Sequence, residues 1–426
     1  MSASVAWEHE LQSWLEPFLK PLRHPARRRM CPLYVAGLIG PGERKSLQPM
    51  AARVAPADYD QLHHFVAVGP WDEVPLVAEL LAQANRLVGG PGAVLVIDDT
   101  ALLKKGTHSV GVASQYAGVV GKNANCQSLV SLTLAKDEVP VPIVLRLFLP
   151  ETWIHDPERL QHAGVPEDFW TERSKPEIAL EELKRLLQAG VSFGAVLADA
   201  GYGISAPFRQ GLSALGIKWA VGTVRIQKVY AADVQMITPP PSRGRSRTRQ
   251  IPDQEAVTAE AMLGKASWRQ ASWRQVTWRR GTKGPLKAKF AAVRVRVADG
   301  PAVRLHGQAN QHLPGDEVWL AGEHRSSGER KYYLSNLPPD TPLKQLASLI
   351  KARWVCEQAH QQLKEELGLD HFEGRSWRGL HRHALMTLIA YLFLQHLRLQ
   401  AAVGGKKKRQ RAATSTQLTS HPAPAA

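Results

Sequence analysis

Over the first ninety positions the apolar residues recur at helical spacing. Trp7, Leu11, Trp14 and Leu15 share a face, and Trp71 to Val88 makes a second amphipathic stretch. The period then shortens. Ala93 to Ile97, a largely β-branched run after Gly92, predicts a buried strand ending in Asp98-Asp99-Thr100. Ser109–Gly118, Ser128–Leu134 and Val141–Leu149 read as further strands, the last two joined by a hairpin tip at Asp137-Glu138. A helix fits Pro176–Gln188, with Gly190 beyond its end. Ala195–Ala198 is another buried strand, closing on Asp199-Ala200-Gly201. A short helix over Ala206–Leu215 and a strand over Ile217–Val224 follow. This alternation predicts an α/β fold, a mixed sheet flanked by helices.

Beyond residue 225 the pattern changes. Residues 238–248, rich in Pro, Ser and Arg, predict a loop. The repeat ASWRQ-ASWRQ-VTWRR then places Trp268, Trp273 and Trp278 five residues apart, an odd spacing that alternates faces on a strand. With a strand over Phe290–Val297, the stretch 225–315 reads as a β-rich insertion. Its mixture of Trp and Arg suits stacking on bases and pairing with phosphates; packing in a core is the competing reading of the tryptophans. Strand character returns at Trp319 and Tyr332–Leu334. Thr341-Pro342 opens a long helix that runs to Leu367 and stops at Gly368. A final apolar helix covers Leu380–Leu399. The expected division is a helical N-terminal domain (1–90) for DNA-end binding or dimerisation, a core in two parts (91–224 and 316–402) around the insertion (225–315), and a disordered basic tail (403–426).

Composition narrows the partners. The 426 residues carry a formal charge of +16, which favours a polyanion: DNA, RNA or an anionic membrane. The apolar run Ala384–Leu394 is too short to span a bilayer, and the N-terminus lacks the pattern of a signal peptide. A soluble cytoplasmic protein, with no membrane partner, is expected. Cys31, Cys126 and Cys356 lie far apart, at no metal-ligand spacing, and read as reduced thiols. Gly118–Gly121 has no P-loop pattern, so no nucleotide cofactor is expected.

Three acids then carry the chemistry. Asp98-Asp99 and Asp199 end buried strands, where ligand sites of open α/β sheets lie. Glu357 sits inside the long helix on a face running Leu346, Ile350, Arg353, Glu357, His360 or Gln361, Lys364, apolar at first and charged halfway along. Two Asp and one Glu from separate elements are the hard oxygen ligands that Mg²⁺ prefers. Two such ions, about 4 Å apart, manage both the attacking and the leaving oxygen of a phosphodiester; Mn²⁺ could substitute. Arg353 and Lys364 flank Glu357 and could neutralise phosphate. Lys104, Lys105 and His108 follow the first acid and suit either DNA contact or a solvated turn. His381 and His383 resemble a metal pair but have no third ligand in view, which favours ordinary core or surface histidines. A glycosidase with paired carboxylates is formally possible, though the positive charge suits it poorly.

These residues resemble those of bacterial insertion-sequence transposases of the cut-and-paste kind, with a D-D-E triad on an RNase H-like core. The likeness spans roughly residues 8–400 and rests on VIDDTALLKKGTHSVGVASQYAG (96–118), VLADAGYG (196–203) and RWVCEQAHQQLKEELGLDHFEGRSWRGLHRHA (353–384). Arg353, Glu357 and Lys364 match the family's Tyr-Arg-Glu-Lys signature, whereas Ile350 stands at the Tyr position. In the family the first Asp directly precedes Thr or Ser, which selects Asp99 over Asp98; Asp199 with Tyr202 matches the second. The resemblance implies a nucleoid-associated, metal-dependent enzyme with Asp99, Asp199 and Glu357 as catalytic and metal-binding residues. It would act on the double-stranded DNA of element ends and target as a homodimer, with Tyr202 near the DNA and a Trp of the insertion stacking on a displaced base. The alternatives are a DNA-binding relative that no longer cuts and a structure-specific RNase H-like nuclease, such as a junction resolvase.

Overall fold

The structure is a computed structural model. It describes residues 3–238, 250–265, 272–281, 284–305 and 308–418, and from residue 403 only the course of the backbone. Trp268, most of the Pro-Ser-Arg loop and the side chains of the basic tail lie outside the described residues.

Helices α1 (Ala3–Leu19), α2 (Pro25–Ile39), α3 (Leu47–Val54) and α4 (Val74–Val88) come first. Strands β1 (Val94–Leu103), β2 (Ala113–Ala117), β3 (Lys122–Lys136) and β4 (Val139–Phe148) follow. The turn between β3 and β4 is Asp137-Glu138, both at positive φ (50° and 65°), the two-residue geometry whose twist matches paired strands. Helix α5 (Lys175–Gln188) starts on a capping box: Ser174 Oγ accepts from the Glu177 N–H and the Glu177 carboxylate accepts from the Ser174 N–H. Strand β5 (Ala195–Ala198), helix α6 (Ala206–Ala214) and strand β6 (Trp219–Thr223) complete the first half. The strand expected over Ser109–Gly118 begins only at Ala113, because Gly111 turns the chain at φ +70° where an added Cβ would strike Leu147.

β1 pairs antiparallel with β3, and β3 with β4; β1 pairs parallel with β5, and β5 with β6. The resulting order, β4-β3-β1-β5-β6, is the mixed sheet that the sequence pattern predicted and the RNase H-like core that the resemblance implied.

The segment after β6 adds strands to this same sheet. β7 (Lys228–Ala231), β8 (Val257–Thr258), helix α7 (Ala259–Lys265), β9 (Arg274–Gly281), β10 (Gly284–Val297), β11 (Glu317–His324) and β12 (Arg330–Ser335) follow in the chain. β12 pairs antiparallel with β6, so the order runs β8-β7-β10-β11-β12-β6-β5-β1-β3-β2, with β9 on β10 and β4 on β3.

Helices α8 (Leu343–Lys351) and α9 (Trp354–Glu365) replace the expected single long helix. The chain breaks at Ala352-Arg353, which carry neither Gly nor Pro to announce it. Helix α10 (Trp377–Leu418) packs against α2 and α4. Arg382 stacks over Trp71 at 4.2 Å and donates to Glu73 and to the Trp71 carbonyl, while the Tyr34 hydroxyl meets His383 Nδ1 at 2.9 Å. The N-terminal helices are thereby fixed to the end of the chain. His383 is enclosed and His381 half-buried; they bond to the carbonyls of Gly368 and Trp377, and desolvation holds each down at about 4. No helix among the described residues is long and apolar enough to cross a membrane.

Candidate active site

Side chains on a strand alternate faces, and this decides which acids can meet. Along β1, Val94 and Val96 pack with Ile350, Val355 and Cys356 of the α8–α9 side, whereas Leu95 and Ile97 join the other core. Asp98 therefore shares the face of Val96, and Asp99 shares the face of Ile97. The parallel register pairs Val96 with Leu197, so Leu197 and, two residues on, Asp199 point to the α8–α9 side as well. Asp98, Asp199 and the helix bearing Glu357 thus lie on one face of the sheet.

Contacts agree with that parity. Arg353, at the break between the two helices, donates from Nη1 to Asp98 Oδ2 at 2.6 Å and from Nη2 to Glu357 Oε1 at 2.7 Å. The Cys356 thiol lies 3.2 Å from the same Asp98 oxygen, and the Asp99 N–H donates to Asp98 Oδ1 at 2.9 Å. Asp98 is only 15% exposed, and Glu357 is 62% exposed. Burial raises the Asp98 carboxyl above its ordinary range, with Arg353 opposing. Asp199 is raised by burial first and by the charge of Asp98 second. For Arg353 burial works against the charge, yet the carboxylates of Asp98, Glu357 and Asp199 hold it above the usual guanidinium range.

Asp199 caps the short helical turn Ala200–Gly203, accepting from the Tyr202 N–H at 3.3 Å. That turn sits directly on β6. A Cβ at Gly222 would lie 2.6 Å from the Ala200 nitrogen, and one at Gly203 would lie 1.9 Å from the Gly222 carbonyl. Two glycines let backbone meet backbone and so fix the second Asp.

Asp99 faces the other way. Lys175 Nζ at the start of α5 donates to its Oδ2 at 2.6 Å, and Ser128 Oγ donates at 3.2 Å. Strand parity thus sends the expected first acid, Asp99, to the α5 side, whereas its neighbour Asp98 meets Arg353, which in turn pairs with Glu357. Sequence reasoning could not fix that parity without knowing which face α9 covers.

Other expected contacts are redistributed too. Tyr202 is buried, its hydroxyl donating to the Asp98 carbonyl at 3.2 Å. Lys104 Nζ is bound to the Phe372 carbonyl at 2.7 Å, while Lys105 is exposed on the turn after β1. Lys364 is half-buried on α9, close enough to help burial keep the enclosed His360 down at about 4. Ile350, at the signature Tyr position, lies in the core beneath the site. Trp273 packs edge-on against His324 and over Gly322; Trp278 packs edge-on against Phe290 under Lys351. Both are held against the sheet, on opposite faces.

One group escaped the sequence reading. A cleft of about 1040 Å³ opens beside Asp199, Arg353 and Glu357, and Arg225, Arg325, Arg330, Lys331 and Lys351 also line it. Three of these come from the β11–β12 hairpin. The string Arg-Ser-Ser-Gly-Glu-Arg-Lys at 325–331, a turn flanked by cations, was the available signal.

The residues suit a divalent cation in kind. Asp98 and Asp199 are hard oxygen donors at the ends of adjacent parallel strands, both desolvated, and the charge of Asp98 further disfavours that of Asp199. Their counter-charge is Arg353. Among the described residues no three acid, histidine or cysteine side chains stand close enough to share an ion; Glu357 is turned to Arg353.

Comparisons with known proteins place the chain. A curated relative, "Probable transposase for insertion sequence element IS701" of Microchaete diplosiphon, is 34% identical over 169 residues. The match covers 40% of this chain and 41% of that protein, so less than half of the relative's length is represented. Among solved structures, a cryo-EM piggyBac transposase synaptic complex with hairpin DNA aligns at TM-score 0.41 and 11% identity, over 88% of this chain and 66% of that one. Residues 17–285, which hold Asp98 and Asp199 with β1 to β6, match the family described as DDE superfamily endonuclease, and the chain belongs to that family.

Proposed function

We propose that this protein is an insertion-sequence transposase. In this reading it cuts double-stranded DNA at the ends of its element and joins the freed ends to target DNA, using Asp98, Asp199 and Glu357. The observation that carries the site assignment is the shared face: two acids at the ends of adjacent parallel strands, joined through Arg353 to an acid on the covering helix. The family match and the partial likeness to an IS701 transposase support the activity.

Asp98, Asp199 and Glu357 would hold two Mg²⁺ or Mn²⁺ ions. When bound, these supply the positive charge that stabilises the attacking and leaving oxygens of a phosphodiester. The protein's own residues do the rest by position. The cations of the cleft grip the backbone on either side of the cut. Tyr202, Gly203 and Gly222 hold Asp199 against the sheet. Arg353 neutralises Asp98 and Glu357 in the free protein, and with a cation bound by the acids it would be free to meet phosphate. In the first step a water oxygen attacks phosphorus and the bond to the 3′-oxygen breaks, leaving a 3′-hydroxyl. In the second that hydroxyl attacks a target phosphodiester, forming one P–O bond as another breaks. Two subunits would hold the two ends.

A supercoiled plasmid carrying the gene's native flanks tests this. With Mg²⁺ or Mn²⁺ the wild type should nick at the flank junctions and leave 3′-hydroxyls, while Glu357→Gln binds without nicking. Nicking retained in Glu357→Gln would remove that residue from its role. Binding without any nicking would favour a relative that no longer cuts, and sequence-indifferent cutting of branched DNA would favour a structure-specific nuclease.

A further inference from the structure

The hairpin of β2 and β3 is approached through a stretch without charge, in a chain crowded with it. From Ser109 to Gly121 there is no Asp, Glu, Lys or Arg, although such residues make up 22% of the sequence and its formal charge is +16. The same stretch is apolar where it is exposed: Tyr116 is 64% exposed, Val119 62% and Val120 40%. Its turn has a defined shape, because the Val120 and Gly121 N–H groups both donate to the Ala117 carbonyl at 3.0 Å. It also stands clear of the body. A Cβ built at Gly118 or at Gly121 would meet nothing within 4 Å.

Register shows where the hairpin points. Leu103, the last residue of β1, is level with Cys126 of β3, and β2 starts at that same level. The hairpin therefore rises beyond the end of β1. Asp98 is level with Ser131; from there to Lys122 the strand climbs roughly 30 Å. β2 is also an edge. It pairs with β3, and among the described residues no strand pairs with its other side. Edge strands are ordinarily guarded by Lys, Pro or a bulge, and β2 has none of the three.

Charge decides what fits this surface. Phosphates would find no cation on β2 or its turn. Two copies of this chain, each at +16, repel over most of their surfaces, and the uncharged strand is where they can meet without that penalty. A free edge is its own complement, because two identical strands pair antiparallel about a two-fold axis. We infer that β2 of one copy pairs antiparallel with β2 of a second, Tyr116 near the axis and each Val119-Val120 tip lapping over the other copy's strand. This rests on the transposase reading and names the surface that joins the two end-bound copies. Since each hairpin rises from the acid-bearing end of its sheet, the pairing turns the two sites toward one another. An edge of five residues with its tip is far less than a stable free dimer needs. The contact forms when both copies sit on one DNA and the encounter becomes intramolecular.

The test uses the full chain and a linear DNA carrying both of the gene's flanks, one with a donor dye and one with an acceptor, and Ca²⁺ to hold it uncut. Tyr116→Lys places the usual edge guard at an exposed position and should leave the fold intact; Tyr116→Glu is its counterpart. Wild type should bring the flanks together and raise energy transfer. Each variant alone should lower the paired fraction roughly tenfold, because like charges meet across the axis, with single-flank affinity kept within about threefold. Mixing the two variants should restore about half of the signal or more, because Lys then meets Glu. As a check independent of charge, a short bismaleimide should link two copies of Tyr116→Cys only on two-flank DNA, since Cys31, Cys126 and Cys356 are buried. Unchanged transfer with Tyr116→Lys, no restoration on mixing, or no linked dimer on two-flank DNA overturns the paired edge. Loss of single-flank binding in the variants overturns it too, by making the hairpin a DNA contact. A wild type that nicks single flanks but never brings two together overturns the pairing and leaves the transposase reading; one that neither binds nor nicks overturns both.

Discussion

Asp98→Asn and Asp99→Asn change adjacent residues by the same atoms, and the geometry predicts opposite outcomes. Asp99 pairs with Lys175 where the two side chains are 29% and 26% exposed. A pair so wetted contributes at most about 1 kcal/mol, and in a chain of this size that lowers the melting temperature by about 2 °C or less. Its loss touches nothing on the α9 face, so nicking should stay within about threefold of wild type. Asp98 is buried and meets Arg353. Asparagine keeps its shape but removes one of two strand-end charges available to a cation and leaves Arg353 to Glu357 alone. Removing one preorganised charge-stabilising group typically costs about 10²–10³ in rate, and losing an ion-holding carboxylate should cost at least that, about 4 kcal/mol of barrier. The assay is metal-dependent nicking of the flank-bearing plasmid, with melting curves taken with and without Mn²⁺. Mn²⁺ should stabilise wild type and Asp99→Asn and have little effect on Asp98→Asn. If Asp99→Asn abolishes nicking while Asp98→Asn retains it, the parity argument is wrong.

Other perturbations follow from the same contacts. Gly222→Ala would press a methyl against the Ala200 nitrogen; with backbone on both sides it should cost about 1–3 kcal/mol and lower nicking by displacing Asp199, seen as reduced rate with unchanged DNA affinity. Glu323 is buried and accepts from Lys351 at 2.9 Å, Tyr333 at 2.7 Å and Arg325 at 3.1 Å, bonds that outweigh burial and hold its carboxyl below the ordinary range. Glu323→Ala should destabilise by about 2–4 kcal/mol, less than for a fully enclosed pair because both cations are partly wetted, measured by denaturant unfolding. His360, His381 and His383 are each held down at about 4 by burial, so they fold neutral. Their contribution is present above pH 6.5 and is lost as pH falls toward 4, by roughly 1–2 kcal/mol each between pH 7 and 5. Melting temperature should therefore drop on acidification, and a flat profile over that window would contradict the burial of these rings.

Much of this was legible in the chain. Short apolar runs ending in acids announced β1 and β5, and Asp137-Glu138 announced its hairpin, because local sterics and burial set those features. Three things were not legible. Whether Asp98 or Asp99 faces the site depends on which face α9 covers, a tertiary fact that a two-residue period leaves open. The break at Ala352-Arg353 has no Gly or Pro to mark it, yet it sets Arg353 between two acids. The tryptophans of the repeat read equally as stacking or core residues, and only the partners of Trp273 and Trp278 decided for packing.

Excision in cells tests the central claim most directly. The gene with its native flanks would be carried on a donor plasmid beside Asp98→Asn and Glu357→Gln versions, and precise loss of the segment scored by sequencing the rejoined donor. The account predicts excision with wild type and Asp99→Asn, and none with Asp98→Asn or Glu357→Gln. Excision that survives either of the latter two changes would contradict it.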